Sequence, residues 1–194
     1  MIDLARLKAA NAARWSAMHA DAALTAAFAR VAVRLAAATA KARYEIVAQK
    51  TGVPWFVVAV IHEREASQSW AANLAQGDPW NAVSVHVPKG QGPFASWEAA
   101  AVNALERSPP YAAHWADWSA GGTLTLLESY NGLGYAERGV PSPYLWAGTD
   151  QYRCGKYVAD GHYDPHAIDH QLGCAGLLAQ ISAADTSVEL GAAA

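Results

Sequence analysis

The stretch from Val53 to Ile61 carries no charged residue, and His62-Glu63-Arg64-Glu65 follows it directly. Gly52 breaks the segment before it, and Pro54 suits the first turn of a new helix, where its missing N–H costs nothing. The spacing predicts a helix that continues through Ser67. Its first half is apolar on every side, and such a helix must be buried centrally, with other elements wrapped around it. The run is far short of the roughly 20 residues needed to span a bilayer. The charges arrive only at its C-terminal end, so that end is where a core element meets polar surroundings.

The rest of the chain supplies the wrapping. Residues 2–20 and 21–50 read as helix, with Leu24, Phe28, Val31, Leu35 and Ala38 at three- and four-residue steps. Gly77-Asp78-Pro79 is a turn signal. Val83-Ser84-Val85-His86-Val87 alternates strictly and predicts a strand, and the turn 88–93 after it predicts a small hairpin or ribbon. Ser96 caps a helix through Arg107, which Pro109-Pro110 ends. Tyr111–Trp118 is a short helical piece, and Thr123–Asn131 an apolar helix stopped by Gly132. Residues 132–163 read as ordered loop with short helical turns. Asp164-Pro165 is expected to open a last helix with Ile168, Leu172, Ala175 and Leu178 on its core side. The expected fold class is mainly α, of the α+β kind: a central buried helix, a small β-hairpin and a helical lobe. Residues 1–50 form N-terminal helices packed on the same domain, 51–184 the motif-bearing domain, and 185–194 a loose tail.

Composition excludes several function classes. At 53% hydrophobic and 16% charged, the 194 residues are not a disordered chain. A net charge of -3 offers no basic surplus for a nucleic-acid backbone. Eight Trp and eight Tyr against three Phe suit a site for hydroxylated ligands, or a core whose polar tips are satisfied. The two cysteines, Cys154 and Cys174, make either one late bridge or two free thiols. Acidic and basic residues interrupt the first eight positions, Met1 to Lys8, before an apolar run develops. No signal peptide is read there, and synthesis in the cytoplasm is expected.

Glu65 lies one turn after Ile61, on the side of His62. Burial of a carboxyl raises its pKa, which a general acid needs near neutral pH. The plain alternative is a structural ion pair. Glu63 competes for the role, but it is rotated roughly 200° away, so both cannot face one cleft. Ala66 stands where a His-Glu-x-x-His zinc motif would need histidine. Asp78 and Ser84, on the turn and the expected strand, suit inverting glycoside hydrolysis, in which a second carboxylate and a hydroxyl hold a water. Asp78 is equally explained as turn chemistry. Asn131, between Tyr130 and Gly132, is either a polar group aimed into a cleft or a helix C-cap. His162, His166 and His170 recur at helical spacing, as a metal pair or as a solvated face. Trp115, Trp118 and Trp146 stack on sugars or pack in a core. There is no Gly-rich phosphate loop and no Gly-x-Ser-x-Gly elbow.

Taken together these residues resemble the lysozyme-like superfamily of goose-type lysozymes, soluble lytic transglycosylases, phage lysozymes and phage endolysins. Glu65-Ala66-Ser67 is similar to its catalytic-glutamate segment, and Tyr130-Asn131-Gly132 to its Tyr-Asn-x-Gly substrate motif. Asp78 and Ser84 resemble the Asp and Thr of phage lysozymes, with serine in place of threonine and a longer spacing from the glutamate. His62-x-Arg64-Glu65, Gly77-Asp78-Pro79, Val85-His86-Val87-Pro88, Ser142-Pro143-Tyr144-Leu145-Trp146 and Gly155-Lys156-Tyr157-Val158 are similar to segments of phage and prophage endolysins. The resemblance covers about residues 50 to 180. It implies a lysozyme-like catalytic domain that cuts the peptidoglycan glycan strand between N-acetylmuramic acid and N-acetylglucosamine. Glu65 would be the general acid, Asp78 and Ser84 would position the water, and His62, Tyr130, Asn131, Tyr135, Tyr144 and Trp146 would line the sugar cleft. It implies no cofactor and no metal, a monomer whose partner is the glycan strand, no nucleic acid and no stable membrane insertion. The protein would wait in the cytoplasm for a holin to release it to the cell wall. Kept beside this reading are a lytic transglycosylase forming 1,6-anhydro ends, a chitinase-like enzyme and a non-catalytic glycan-binding module.

Overall fold

The computed structural model describes residues 2–75, 77–86 and 88–190. These form a mainly helical protein with a small two-stranded antiparallel sheet. Two compact units divide the chain, one made of Met1–Ala32 with Asp117–Ala194, the other of Val33–Ala116.

The continuous unit is built on α3 (Ala38–Thr51), α4 (Trp55–Ala66) and α5 (Trp97–Arg107). Every residue of α4 from Phe56 to His62 is buried, as an apolar helix without a polar face requires. Helix α5 begins where Ser96 predicts it, with the serine hydroxyl accepting from the Ala99 amide at 3.2 Å. The expected helix over 21–50 is two helices, α2 (Thr25–Leu35) and α3, broken at Ala36-Ala37. An alanine-rich join favours helix on both sides and so hides its own break.

The expected strand at 83–87 is absent among its described residues, and Val87 lies outside them. Val83 and Val85 are exposed. The Val85 and His86 amides, which a sheet ladder would use, go instead to the Asp78 carboxylate. Alternation marks a strand only when a partner edge continues along it, and here Ser84 alone meets one, in Gly90 and Gln91, before the Asp78 carboxylate takes the next two amides.

The discontinuous unit pairs α1 (Leu4–Ala17) with α6 (Ala120–Asn131). Gly121 permits the close approach, since a Cβ there would stand 2.8 Å from the Lys8 carbonyl oxygen. Helix α6 starts earlier than expected because Ser119 caps it, and Gly132 closes it as predicted. Short helices α7 (Gly134–Arg138) and α8 (Pro143–Trp146) follow. The small sheet lies in the segment expected to be loop: β1 (Lys156–Ala159) pairs with β2 (His162–Asp164), Tyr157 opposite Tyr163. The last helix, α9 (Cys174–Ala184), begins later than Asp164-Pro165 suggests. Asp164 spends its capping capacity on a local turn, accepting from the His166 and Ala167 amides. Ile168 is accordingly exposed. Cys154 is exposed and Cys174 buried, and the two are not bridged to each other. Beyond α9, Val188 is buried and its carbonyl accepts from the Ser182 hydroxyl, while residues 191–194 lie outside the described chain.

Candidate active site

Helix α4 carries Glu63 and Glu65 into its last turn. Glu63 is committed to an ion pair, its Oε2 lying 2.7 Å from an Arg34 guanidinium nitrogen. Glu65 is half-buried. Directly after α4, Ser67 (φ 49°) and Gln68 (φ 58°) both adopt the left-handed backbone. Two consecutive residues with side chains in that region are uncommon and persist only when their surroundings hold them. The holding group is Gln68, which is buried and donates to Tyr44 Oη at 3.0 Å.

That bond opens a buried polar chain. Tyr44 Oη lies 3.0 Å from His62 Nδ1, and His62 Nε2 lies 3.0 Å from the Ser69 carbonyl. A carbonyl only accepts, so Nε2 carries the proton, Nδ1 accepts from the tyrosine, and the tyrosine accepts from Gln68. His62 is fully buried and packs between Trp70 and Trp97, with ring centroids at 4.7 and 4.6 Å. Burial holds its pKa down at about 4. The structure therefore makes His62 a core residue that fixes the corner after Glu65, not a wall of a sugar cleft.

Asp78 and Ser84 organise one loop. The Asp78 carboxylate is buried and takes three donors: the Val85 amide at 2.8 Å, the His86 amide at 3.0 Å and His86 Nδ1 at 2.6 Å. The His86 bonds lead in holding its pKa below the usual carboxylate range. The Ser84 hydroxyl donates to the Pro88 carbonyl at 2.8 Å and accepts from the Gln91 amide at 2.9 Å.

In the discontinuous unit, Asn131 ends α6 and is exposed. It borders a shallow groove of about 500 Å³, with Gly132 and Gly134 on one side and Tyr157 and the β1–β2 turn on the other. The Tyr157 amide donates to Tyr135 Oη at 3.0 Å, and Arg138 Nε donates to Tyr157 Oη at 3.0 Å while its guanidinium covers Tyr163. Tyr130 is half-buried. Tyr135 is 7% exposed, Tyr144 3% and Trp146 1%, so these rings are packing and anchoring groups that offer no open face for stacking.

Glu128 is the residue that sequence reasoning missed. It is 2% exposed on α6 and accepts from Asn11 Nδ2 at 3.0 Å. Its pKa is raised by burial, and Asn11 and Arg14 offset that only in part. The signal was available, since Glu128 is the one carboxylate of an otherwise uncharged helix. The histidines at 162, 166 and 170 do not share a helix, and among the described residues no cluster of metal-binding side chains occurs. No described helix is long and apolar enough to cross a membrane. No family model, curated protein or solved structure matches the chain.

Proposed function

We propose that the chain is a glycosidase of the peptidoglycan glycan strand, with Glu65 as the general acid. The observation that carries the reading is the corner after α4. A buried helix delivers a half-buried carboxyl to its last turn, and two left-handed residues locked by Gln68, Tyr44 and His62 fix the backbone beyond it. Strain of this kind is retained where placement matters to function. The lysozyme-like fold and the endolysin role, with storage in the cytoplasm until a holin opens the membrane, belong to the same proposal.

A second reading, the lytic transglycosylase, gains from Asp78. A base that already accepts three hydrogen bonds and is held below the usual carboxylate range is a poor proton acceptor for a water. A transglycosylase needs no such water, because the muramyl 6-hydroxyl attacks internally. Digestion of purified sacculi followed by mass spectrometry of the soluble products separates the readings. Reducing ends identify a hydrolase, and 1,6-anhydro ends a transglycosylase. If nothing soluble appears with the wild-type chain, the glycosidase reading fails and a binding module takes its place.

A further inference from the structure

A concavity in the discontinuous unit is independent of Glu65. It encloses about 590 Å³ between α1, the end of α6 and the segment from Ala136 to Pro141. Leu7, Val140 and Pro141 give it apolar wall, and Glu128, Asn11, Arg6 and Arg14 give it polar groups. A volume of this size, open on one side and lined by charged as well as apolar groups, can take a small polar molecule.

Its polar groups are arranged unequally. Glu128 is almost fully buried, and only one of its oxygens is used, by Asn11. The other has no hydrogen-bond partner among the described residues, although the side chain forms part of the cavity wall. That oxygen is not sealed from solvent, so it can meet a donor that enters the cavity. Arg6 is exposed and Arg14 half-buried, two turns apart along α1, and neither guanidinium has an ion-pair partner among the described residues. Arg138 also borders the cavity but is spent on Tyr157 and Tyr163. Asp3 is spent on capping α1, and Glu137 is exposed at the border.

We infer that this cavity binds a small zwitterion, an amino acid or short peptide, whose carboxylate meets Arg6 and Arg14 and whose ammonium group meets Glu128. A guanidinium pair matches a carboxylate, and a buried carboxyl with an open oxygen matches an N–H donor. Apolar wall between the two poles accommodates a short side chain. Binding an ammonium favours the ionised form of Glu128, opposing the burial that raises its pKa.

The test uses the full-length chain and alanyl-alanine, followed by amide shifts in a ¹H–¹⁵N spectrum. Saturable shifts confined to α1, α6 and residues 136–146 are expected. N-acetylalanyl-alanine, which lacks the ammonium, should bind about tenfold more weakly, as loss of a charged hydrogen bond implies. In Glu128→Gln, which keeps an acceptor for Asn11, the two peptides should bind equally. In Arg14→Ala, alanyl-alanine should weaken while the spectrum away from the cavity stays unchanged. Absence of saturable shifts at 10 mM alanyl-alanine, about the weakest affinity such contacts would leave, overturns the inference. So does a folded Glu128→Gln that still prefers the free amine.

Discussion

His62 shows how one side chain can be misassigned from sequence and still matter to the site. It sits beside two carboxylates in the chain, yet its ring is sealed between tryptophans and both nitrogens are taken. The folded protein holds its pKa at about 4, against about 6.5 in an unfolded chain. Above pH 6.5 neither state binds the proton, and His62 adds no pH dependence. Between pH 6.5 and 4 only the unfolded state is protonated, so stability falls as pH falls. The loss is about 3 kcal/mol over that window. We expect the wild-type melting temperature to drop across it and His62→Gln to lack that slope; equal slopes in the two proteins refute the assignment. At the neighbouring position, Glu65→Gln should fold normally and lose sacculus digestion by several orders of magnitude, because the amide cannot donate the proton. Glu63→Gln should lose stability modestly through Arg34 and keep activity. The reverse ranking would move the acid to Glu63.

At the scale of elements, the legible parts are those with local signals. The all-round apolar α4, the Ser96 cap of α5 and the Gly132 stop of α6 are written in adjacent residues. The strand expected at 83–87 failed because its pattern was real but its hydrogen bonds were claimed by Asp78. The hairpin at 156–164 was hidden because its stabilising partners, Tyr135 and Arg138, come from a different segment. The places of Glu65 in the last turn of α4 and of Asn131 at the end of α6 were readable by position, whereas the commitment of Asp78 to its own loop was not. That commitment is testable. Asp78→Ala should leave the helices intact and free residues 82–91, seen as faster proteolytic cutting within that segment. Because its folded pKa is lowered, the carboxylate's contribution is present above the unfolded pKa near 3.9 and is lost as pH falls below it. The loop of the wild type should therefore become protease-sensitive in strong acid first. An Asp78→Ala loop that resists protease as the wild type does would mean that Ser84 alone holds it.

At the scale of the whole chain, the N-terminal helices carry more weight than a motif search gives them. The resemblance covers about residues 50 to 180, and α1 lies outside it. Yet α1 belongs to the same compact unit as α6, α8 and α9. The contact that joins α1 to α6 is polar and buried: Asn11 reaches Thr125 and Glu128 across 114 and 117 positions of sequence. No local pattern could announce a pair so distant, which is why Asn11 reads as an ordinary helix residue. Removing residues 2–20 would expose the α6 face at Gly121 and strip Glu128 of its donor. The apolar surface uncovered along α6 would lose its burial, at roughly 25 cal/mol per Å². The truncated chain should therefore lose the protected amides of α6 in hydrogen exchange, while those of α4, in the other unit, persist longer. Asn11→Ala in the full chain should weaken α6 protection in the same direction by a smaller amount. If the truncated chain keeps wild-type protection in α6, then α1 is an appendage, and the unit is completed by α8 and α9 alone.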